Sequence, residues 1–118
     1  MSGLPSCNVL LPGGGHWATC ETAERFFARL RGLLGRKTLP DNHVLRIRHC
    51  NAVHTVGMKF NLDLIFLSAD GRVIRVCRNI PPGRLFVGGG LRAKEVLEAA
   101  AGRVDLAAVP PGTRLTFR

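Results

Sequence analysis

The feature that most constrains this chain is an apolar run, LDLIFL, at positions 62–67, followed at once by the turn sequence SADG at 68–71. Asp and Gly tolerate the backbone angles that a tight hairpin turn requires. The run is short, apolar at every position except Asp63 and bounded by a turn, which favours a strand buried on both faces. Residues 72–78 then predict the return strand, with valine and cysteine inward and arginine toward water.

The remaining composition favours a β-rich domain. The chain has 118 residues with 14 Gly and 7 Pro, which predicts many turns, and 46% hydrophobic residues, which indicates a globular protein. A chain of this length suits one domain, so we expect a single domain over residues 1–118, with residues 1–17 as an N-terminal loop or edge strand.

One stretch reads as a helix. Residues 20–35 carry apolar side chains at helical spacing, at Ala23, Phe26, Phe27, Leu30, Leu33 and Leu34. Thr19 is a suitable N-cap, and Gly35 can end the helix. Towards the C-terminus, residues 92–101 look helical by propensity, while residues 94–98 also suit a strand, so the pattern leaves both open.

The charge balance indicates an anionic partner. The net charge is +9, from 17 Lys plus Arg against 8 Asp plus Glu. Such a surplus favours a small anionic ligand, an acidic protein or nucleic acid. Nucleic acid is the weaker alternative, because the arginines form no run, and aromatic residues, which stack on bases, are only 6% with no Tyr.

The four cysteines, at positions 7, 20, 50 and 77, form no CxxC pair. The N-terminus has no basic region or long apolar core typical of a signal peptide, and no apolar run approaches the ~20 residues of a membrane span. We therefore expect a cytoplasmic protein with reduced thiols. The ligand pairs that zinc prefers are missing, and the GGG at 13–15 is followed by no GK[ST], so we expect no metal and no cofactor.

The candidate site lies at the start of the apolar run. Asp63 stands among Leu62, Leu64, Ile65 and Phe66, and a buried carboxylate needs a partner. In one interpretation Asp63 and His54 carry out acid–base chemistry or bind a ligand. In the other, which we favour slightly, Asp63 forms an ion pair or accepts backbone hydrogen bonds and fixes a loop.

Several stretches together carry a family resemblance: RLRGLLGRKTLP at 29–40, CNAVHTVGMKFNLDLIFLSADGRVIRV at 50–76, then PPGR, then A-x-x-VLE-x-x-x-G. In order and spacing, over residues 18–117, they resemble the domain of unknown function 192 family of small prokaryotic proteins. The resemblance implies a strand near residues 94–99 and a short helix near 102–107. It maps the family's recurring polar residues to Arg29, Arg36, His54, Thr55, Met58 and Asp63.

The chain departs from the family pattern at three positions. Leu34 stands where methionine is frequent, and Ser68 and Thr113 replace acidic residues. These departures weaken any catalytic role for an acidic residue at the last two positions.

The prediction from residues and resemblance is therefore a β-rich α+β fold, a compact antiparallel sandwich or barrel with one amphipathic helix and a short second helix. We expect it to bind a small polar or anionic ligand, or a protein partner, through a pocket near His54 and Asp63. The alternatives are an enzyme that uses these two residues as acid and base, and an electrostatic nucleic-acid binder. No motif indicates a reaction or an oligomeric state.

Overall fold

The computed structural model describes residues 5–23 and 37–118. Nine strands are present in that part of the chain: β1 Ser6–Leu10, β2 His16–Ala23, β3 His43–Arg48, β4 Ala52–Val53, β5 Leu62–Leu67, β6 Val73–Ile80, β7 Val87–Gly88, β8 Glu95–Ala100 and β9 Thr116–Phe117. A single 3-10 turn covers Leu106–Ala108.

Seven of the strands form one mixed sheet in the order β6-β5-β8-β3-β2-β1-β9, and β4 pairs with β7 in a separate small sheet. The β2–β3 pair is parallel, and the other neighbours in the large sheet are antiparallel. The order places β5 and β8, the two strands buried along their whole length, side by side within the sheet.

The large sheet curls until its two edges meet. The amide of Val73 on β6 donates to the carbonyl of Thr113, at 2.8 Å, just before β9 on the opposite edge. The Leu115 amide likewise donates to the Gly71 carbonyl at 2.9 Å. Gly71 has a φ of +84°, and a Cβ there would lie 2.6 Å from the Leu115 carbonyl oxygen, so this closure requires glycine.

The core lies on both faces of the curled sheet. Leu64 and Phe66 of β5 pack into one apolar cluster, whereas Ile65 and Leu67, which point the opposite way, pack into another. All six residues of β5 are buried. The predicted two-sided burial of this strand is therefore confirmed, as is the hairpin turn, whose Gly71 amide donates to the Ser68 carbonyl at 3.0 Å.

The predicted helices are wrong in the described part of the chain, which contains no α-helix. Residues 20–23, the start of the predicted helix, belong to strand β2, and residues 24–35 lie outside the described residues. β2 has a hydrogen-bonding strand on each side, so sheet pairing satisfies the backbone that a helix would have satisfied internally. Local periodicity cannot detect such partners.

The short second helix expected near 102–107 is also corrected, to turns followed by the 3-10 turn Leu106–Ala108. The Asp105 side chain accepts a hydrogen bond from the Ala107 amide at 3.1 Å and stabilises that single turn. The strand that the resemblance implied near 94–99 is confirmed as β8. The sheet is mixed instead of antiparallel, because β2 and β3 run in the same direction.

No helix within residues 5–23 and 37–118 is long and apolar enough to cross a membrane.

Candidate functional site

Asp63 is held by two backbone amides. Its Oδ1 accepts a hydrogen bond from the Asn79 amide at 2.8 Å, and its Oδ2 accepts one from the Gly102 amide at 3.0 Å. The side chain is almost fully buried, with 3% of its surface exposed. Both donors have left-handed backbones, with φ of +54° at Asn79 and +79° at Gly102. One carboxylate thus fixes two left-handed backbone positions, one within β6 and one in the turn at Gly102.

The register of the sheet explains why Asp63 meets these amides. Leu62 pairs with Ile80 but Leu64 pairs with Cys77, so β6 has one extra residue opposite Asp63. This arrangement is a β-bulge, which turns backbone groups away from the regular ladder. The Asn61 side chain also donates to the Asn79 side chain at 2.9 Å. The bulge therefore leaves an amide free for Asp63, and the carboxylate stabilises the bulge in return.

Thr55 has an equivalent anchoring role in the neighbouring loop. Its buried hydroxyl donates to the Pro81 carbonyl at 2.7 Å and accepts from the Arg84 amide at 2.9 Å. The backbone of Thr55 adds two more bonds, one to the Arg84 carbonyl at 2.9 Å and one from the Gly83 amide at 3.0 Å. Thr55 therefore fixes the path of the loop that follows β6.

The other predicted site residues are placed less centrally. His54 is half-buried, and its Nδ1 accepts a hydrogen bond from the Val56 amide at 3.2 Å. The residue also has other interactions. Met58 is buried in the apolar core. Arg29 and Arg36 lie outside the described residues. His54, Thr55 and Met58 thus lie in one turn. Asp63 instead accepts a hydrogen bond from the bulge in β6, and Thr55 holds the loop that follows β6.

A cavity of about 730 Å³ lies against β6 and the loop that Thr55 fixes. We call it the β6 groove; its lining includes Arg75, Cys77, Ile80, Arg84, Phe86 and Leu91. Its volume is within the range of ~300–1,000 Å³ that small-molecule sites occupy. None of the predicted site residues within the described ranges lines the groove, although the groove adjoins the loop anchored by Thr55.

The wall of the β6 groove is built by close backbone packing. The Arg75 guanidinium donates to the Gly88 carbonyl at 2.6 Å, and the Gly89 amide donates to the Asn51 carbonyl at 2.9 Å. A Cβ at Gly89 would lie 2.4 Å from the ring of the buried Phe66. Residue 89 can therefore approach the sheet this closely only as glycine.

The β6 groove is both cationic and apolar. Among the described residues that line it, two are arginines and none is acidic. Phe86 and Leu91 at its margin expose 74% and 91% of their surface, and the adjoining Leu85 exposes 84%. Large apolar side chains grouped in this way on a surface indicate a binding site. The site can attract an anion and bury an apolar group beside it.

Nucleophilic chemistry by Cys77 in the groove is disfavoured. Burial raises the pKa of the Cys77 thiol, so the side chain stays protonated at neutral pH. In the described part of the chain, no three His, Cys, Asp or Glu side chains lie close enough together to hold a metal ion. The described lining of the groove offers two guanidinium groups beside apolar side chains.

Sequence reasoning missed the groove residues. The available signal was LFVGGG at 85–90, where apolar residues adjoin three glycines just after a Pro-Pro-Gly turn. By its pattern that stretch indicates only a short strand. Gly89 in fact permits close packing against Phe66, and the leucine and phenylalanine of the stretch face solvent.

The fold and the groove together define a mixed β-sheet domain with a basic, apolar-edged cleft beside an edge strand. The chain belongs to the DUF192 family, described as "Uncharacterized ACR", whose model matches residues 9–117. The family assignment made from the sequence is therefore confirmed. No curated protein matches the chain.

Two crystal structures share the fold. One is of a "putative transcription regulator" from Sinorhizobium meliloti 1021, with 23% identity, a TM-score of 0.79, and coverage of 97% of this chain and 95% of that one. The other is of a protein of unknown function from Novosphingobium aromaticivorans DSM 12444, with 22% identity, a TM-score of 0.74, and coverage of 96% and 84%. At these identities the likeness concerns the fold alone.

Proposed function

We propose that this domain binds a small anionic ligand that also carries an apolar group, and that the β6 groove is the binding site. The observation that carries the proposal is the pair of exposed arginines, Arg75 and Arg84, on a cavity with no acidic residue among its described lining. This moves the site expected near His54 and Asp63 to the β6 groove, whose lining includes Arg84 of the loop that Thr55 holds.

In the described part of the chain, the two arginines of the β6 groove lack the carboxylate partners that several other arginines have. Among the described residues, the arginines that form ion pairs with carboxylates include Arg46, Arg72, Arg103 and Arg114. Neither Arg75 nor Arg84 belongs to that set. A guanidinium without a carboxylate can bind a carboxylate or phosphate through two parallel hydrogen bonds. The net charge of +9 adds long-range attraction for such ligands.

Thr55 and the glycines support the proposal through preorganisation. The Arg84 backbone is fixed by the Thr55 hydroxyl, and the Arg75 side chain is fixed by the Gly88 carbonyl. A preformed site binds more tightly because less ordering entropy is lost on binding. Both arginines are therefore held by local hydrogen bonds in a groove that also has apolar lining residues.

The proposal can be tested by NMR titration with phenyl phosphate and benzoate, and with benzyl alcohol as the neutral probe. We expect the anions to shift the amide resonances of residues 86–91, and the alcohol to shift them far less. Arg84→Gln should weaken anion binding about tenfold, since losing a charged hydrogen bond costs ~1.5–3 kcal/mol. The matched control is Arg103→Gln, because Arg103 is exposed and lies outside the groove lining.

Two results would count against the proposal. Equal weakening by Arg84→Gln and Arg103→Gln would mean that net charge alone attracts the anions. Shifts that map away from residues 86–91 would place the site elsewhere. Either result leaves the protein-partner alternative to be examined with the same variants in a pull-down against acidic peptides.

An acid–base enzyme that uses His54 and Asp63 is less well supported. Both oxygens of Asp63 already accept backbone hydrogen bonds, and its environment is that of a structural anchor. A nucleic-acid binder is supported by the net charge, and the similar Sinorhizobium meliloti protein is described as a "putative transcription regulator". Steep loss of DNA binding with salt, reduced by Arg84→Gln, would favour that alternative. A cytoplasmic location remains part of the proposal.

A further inference from the structure

Two cysteines lie directly opposite each other in the sheet. Cys7 of β1 pairs with Cys20 of β2 in an antiparallel register. The next residue, Asn8, exchanges two backbone hydrogen bonds with Arg118, at 2.7 and 2.9 Å, on the other side of β1. Backbone groups alternate in direction along a strand, so those of Cys7 point toward β2. Facing residues of this kind have Cα atoms ~5.5 Å apart, close to the commonest spacing in disulfides.

The two side chains point to the same face of the sheet. Cys20 belongs to one apolar cluster with Val9 and Ala18, and Cys7 packs against that cluster. Burial and then the neighbouring Cys7 raise the pKa of the Cys20 thiol to about 12. Both are free thiols in the structure. The pair therefore shares one register position and one face of the sheet, and a small approach of the two strands would bring the sulfur atoms to bonding distance.

The two cysteines differ in access. Cys20 is fully buried, whereas Cys7 is half-buried between the exposed residues Ser6 and Asn8. An external reagent would therefore reach Cys7 first. Of the other two cysteines, Cys50 donates to the Ala52 carbonyl at 3.0 Å. No strand register places Cys50 opposite another cysteine within the described sheets.

We propose that Cys7 and Cys20 form a reversible disulfide by exchange with a small-molecule disulfide. Cys7 loses its proton to solvent, and its thiolate attacks one sulfur of the small disulfide; this releases one small thiolate, which takes up a proton, and leaves a mixed disulfide on Cys7. Cys20 then attacks the Cys7 sulfur as the minor thiolate form that its raised pKa allows, which makes this the slow step, and its fixed place opposite Cys7 favours the attack. The second small thiolate departs and takes up the proton that Cys20 lost. Two protein thiols are oxidised and one small disulfide is reduced to two thiols.

The bond would lock the N-terminal strand. β1 lies between β2 and β9 in the sheet, so a Cys7–Cys20 bond ties the outer part of the sheet to its interior. The closed loop holds about 14 residues, and constraining it in the unfolded chain should raise Tm by about 10 °C. The redox state of the surroundings would thus set the stability of this edge.

The test uses the full chain, equilibrated with oxidised or reduced glutathione, alkylated without reduction and digested with trypsin. The first cleavage site is Arg25, so Cys7 and Cys20 share one peptide, while Cys50 and Cys77 fall in two others. We expect oxidation to protect the 1–25 peptide from alkylation with loss of two hydrogens, and to leave the other two peptides alkylated. Reduction should reverse this, and Tm should rise on oxidation.

Variants and alternative products keep the proposal falsifiable. Cys7→Ser should abolish both the protected peptide and the rise in Tm, and the matched control Cys50→Ser should retain both. Full alkylation of the 1–25 peptide in oxidised, folded protein would overturn the proposal. So would a disulfide that joins two chains, a stable glutathione adduct on Cys7, or a cross-link that involves Cys77.

Discussion

Replacing Asp63 tests whether its carboxylate holds the two turns that it contacts. Asp63→Ala removes both acceptors and leaves the amides of Asn79 and Gly102 without their partner. Asp63→Asn keeps one acceptor oxygen, but its NH₂ group faces an amide that is also a donor. The two variants therefore remove two bonds and one bond, respectively.

The expected loss of stability follows from the number of hydrogen bonds removed and from the exposure of the residues that donate them. A hydrogen bond to a charged group contributes ~1.5–3 kcal/mol, so two such bonds contribute about 3–6 kcal/mol. Asn79 and Gly102 are themselves exposed, so water replaces part of the loss and the lower end applies. We expect the free energy of unfolding to fall by about 3 kcal/mol in Asp63→Ala and about 2 kcal/mol in Asp63→Asn, out of a typical total of ~5–15 kcal/mol.

The chain offers a suitable probe for this measurement. Trp17 is its only tryptophan, is buried, and donates from its ring nitrogen to the Asp105 carbonyl at 2.9 Å, close to the Gly102 turn. Urea unfolding followed by its fluorescence gives the free energy, and hydrogen exchange at Gly102 reports the local bond. Asp41→Asn is the matched control, because Asp41 is 72% exposed and its ion pair with Arg103 should contribute ~0–1 kcal/mol.

The carboxylate is not a structural anchor if Asp63→Asn has the same free energy of unfolding as the wild type and the Gly102 amide exchanges its hydrogen at an unchanged rate.

Three further predictions concern packing, the loop after β6 and pH. Gly89→Ala should destabilise by about 1–3 kcal/mol, because its Cβ would overlap the Phe66 ring, while Gly15→Ala, with nothing within 4 Å, should change the unfolding free energy by less than ~1 kcal/mol. Thr55→Val should cost about 2 kcal/mol in urea unfolding and weaken anion binding in the β6 groove, since the hydroxyl bridges two backbone groups. The pKa of the Cys20 thiol is raised to about 12 from 9.0. The contribution of this thiol to the free energy of unfolding is therefore complete below pH 9 and is lost as the pH rises toward 12. This loss should be about 1 kcal/mol at pH 10 and absent in Cys20→Ala.

Local pattern was sufficient for the central hairpin. The LDLIFL run and the SADG turn specify a strand and its reversal through neighbours in sequence, and the structure has both as β5 and the turn into β6. The same reasoning was wrong at residues 20–23, because their partners Cys7 and Val44 are distant in sequence. For Glu95–Ala100, propensity alone left helix and strand open, and only the family resemblance indicated the strand.

The sequence by itself determined the buried strand, its turn, the excess of positive charge, the family, and the need of Asp63 for a partner. Tertiary structure alone decided that this partner is a pair of backbone amides, because a bulge in β6 and the turn at Gly102 bring them together. It also decided that Arg75 and Arg84 share a groove and that Cys7 faces Cys20. These contacts depend on strand register across the sheet, which no local pattern encodes.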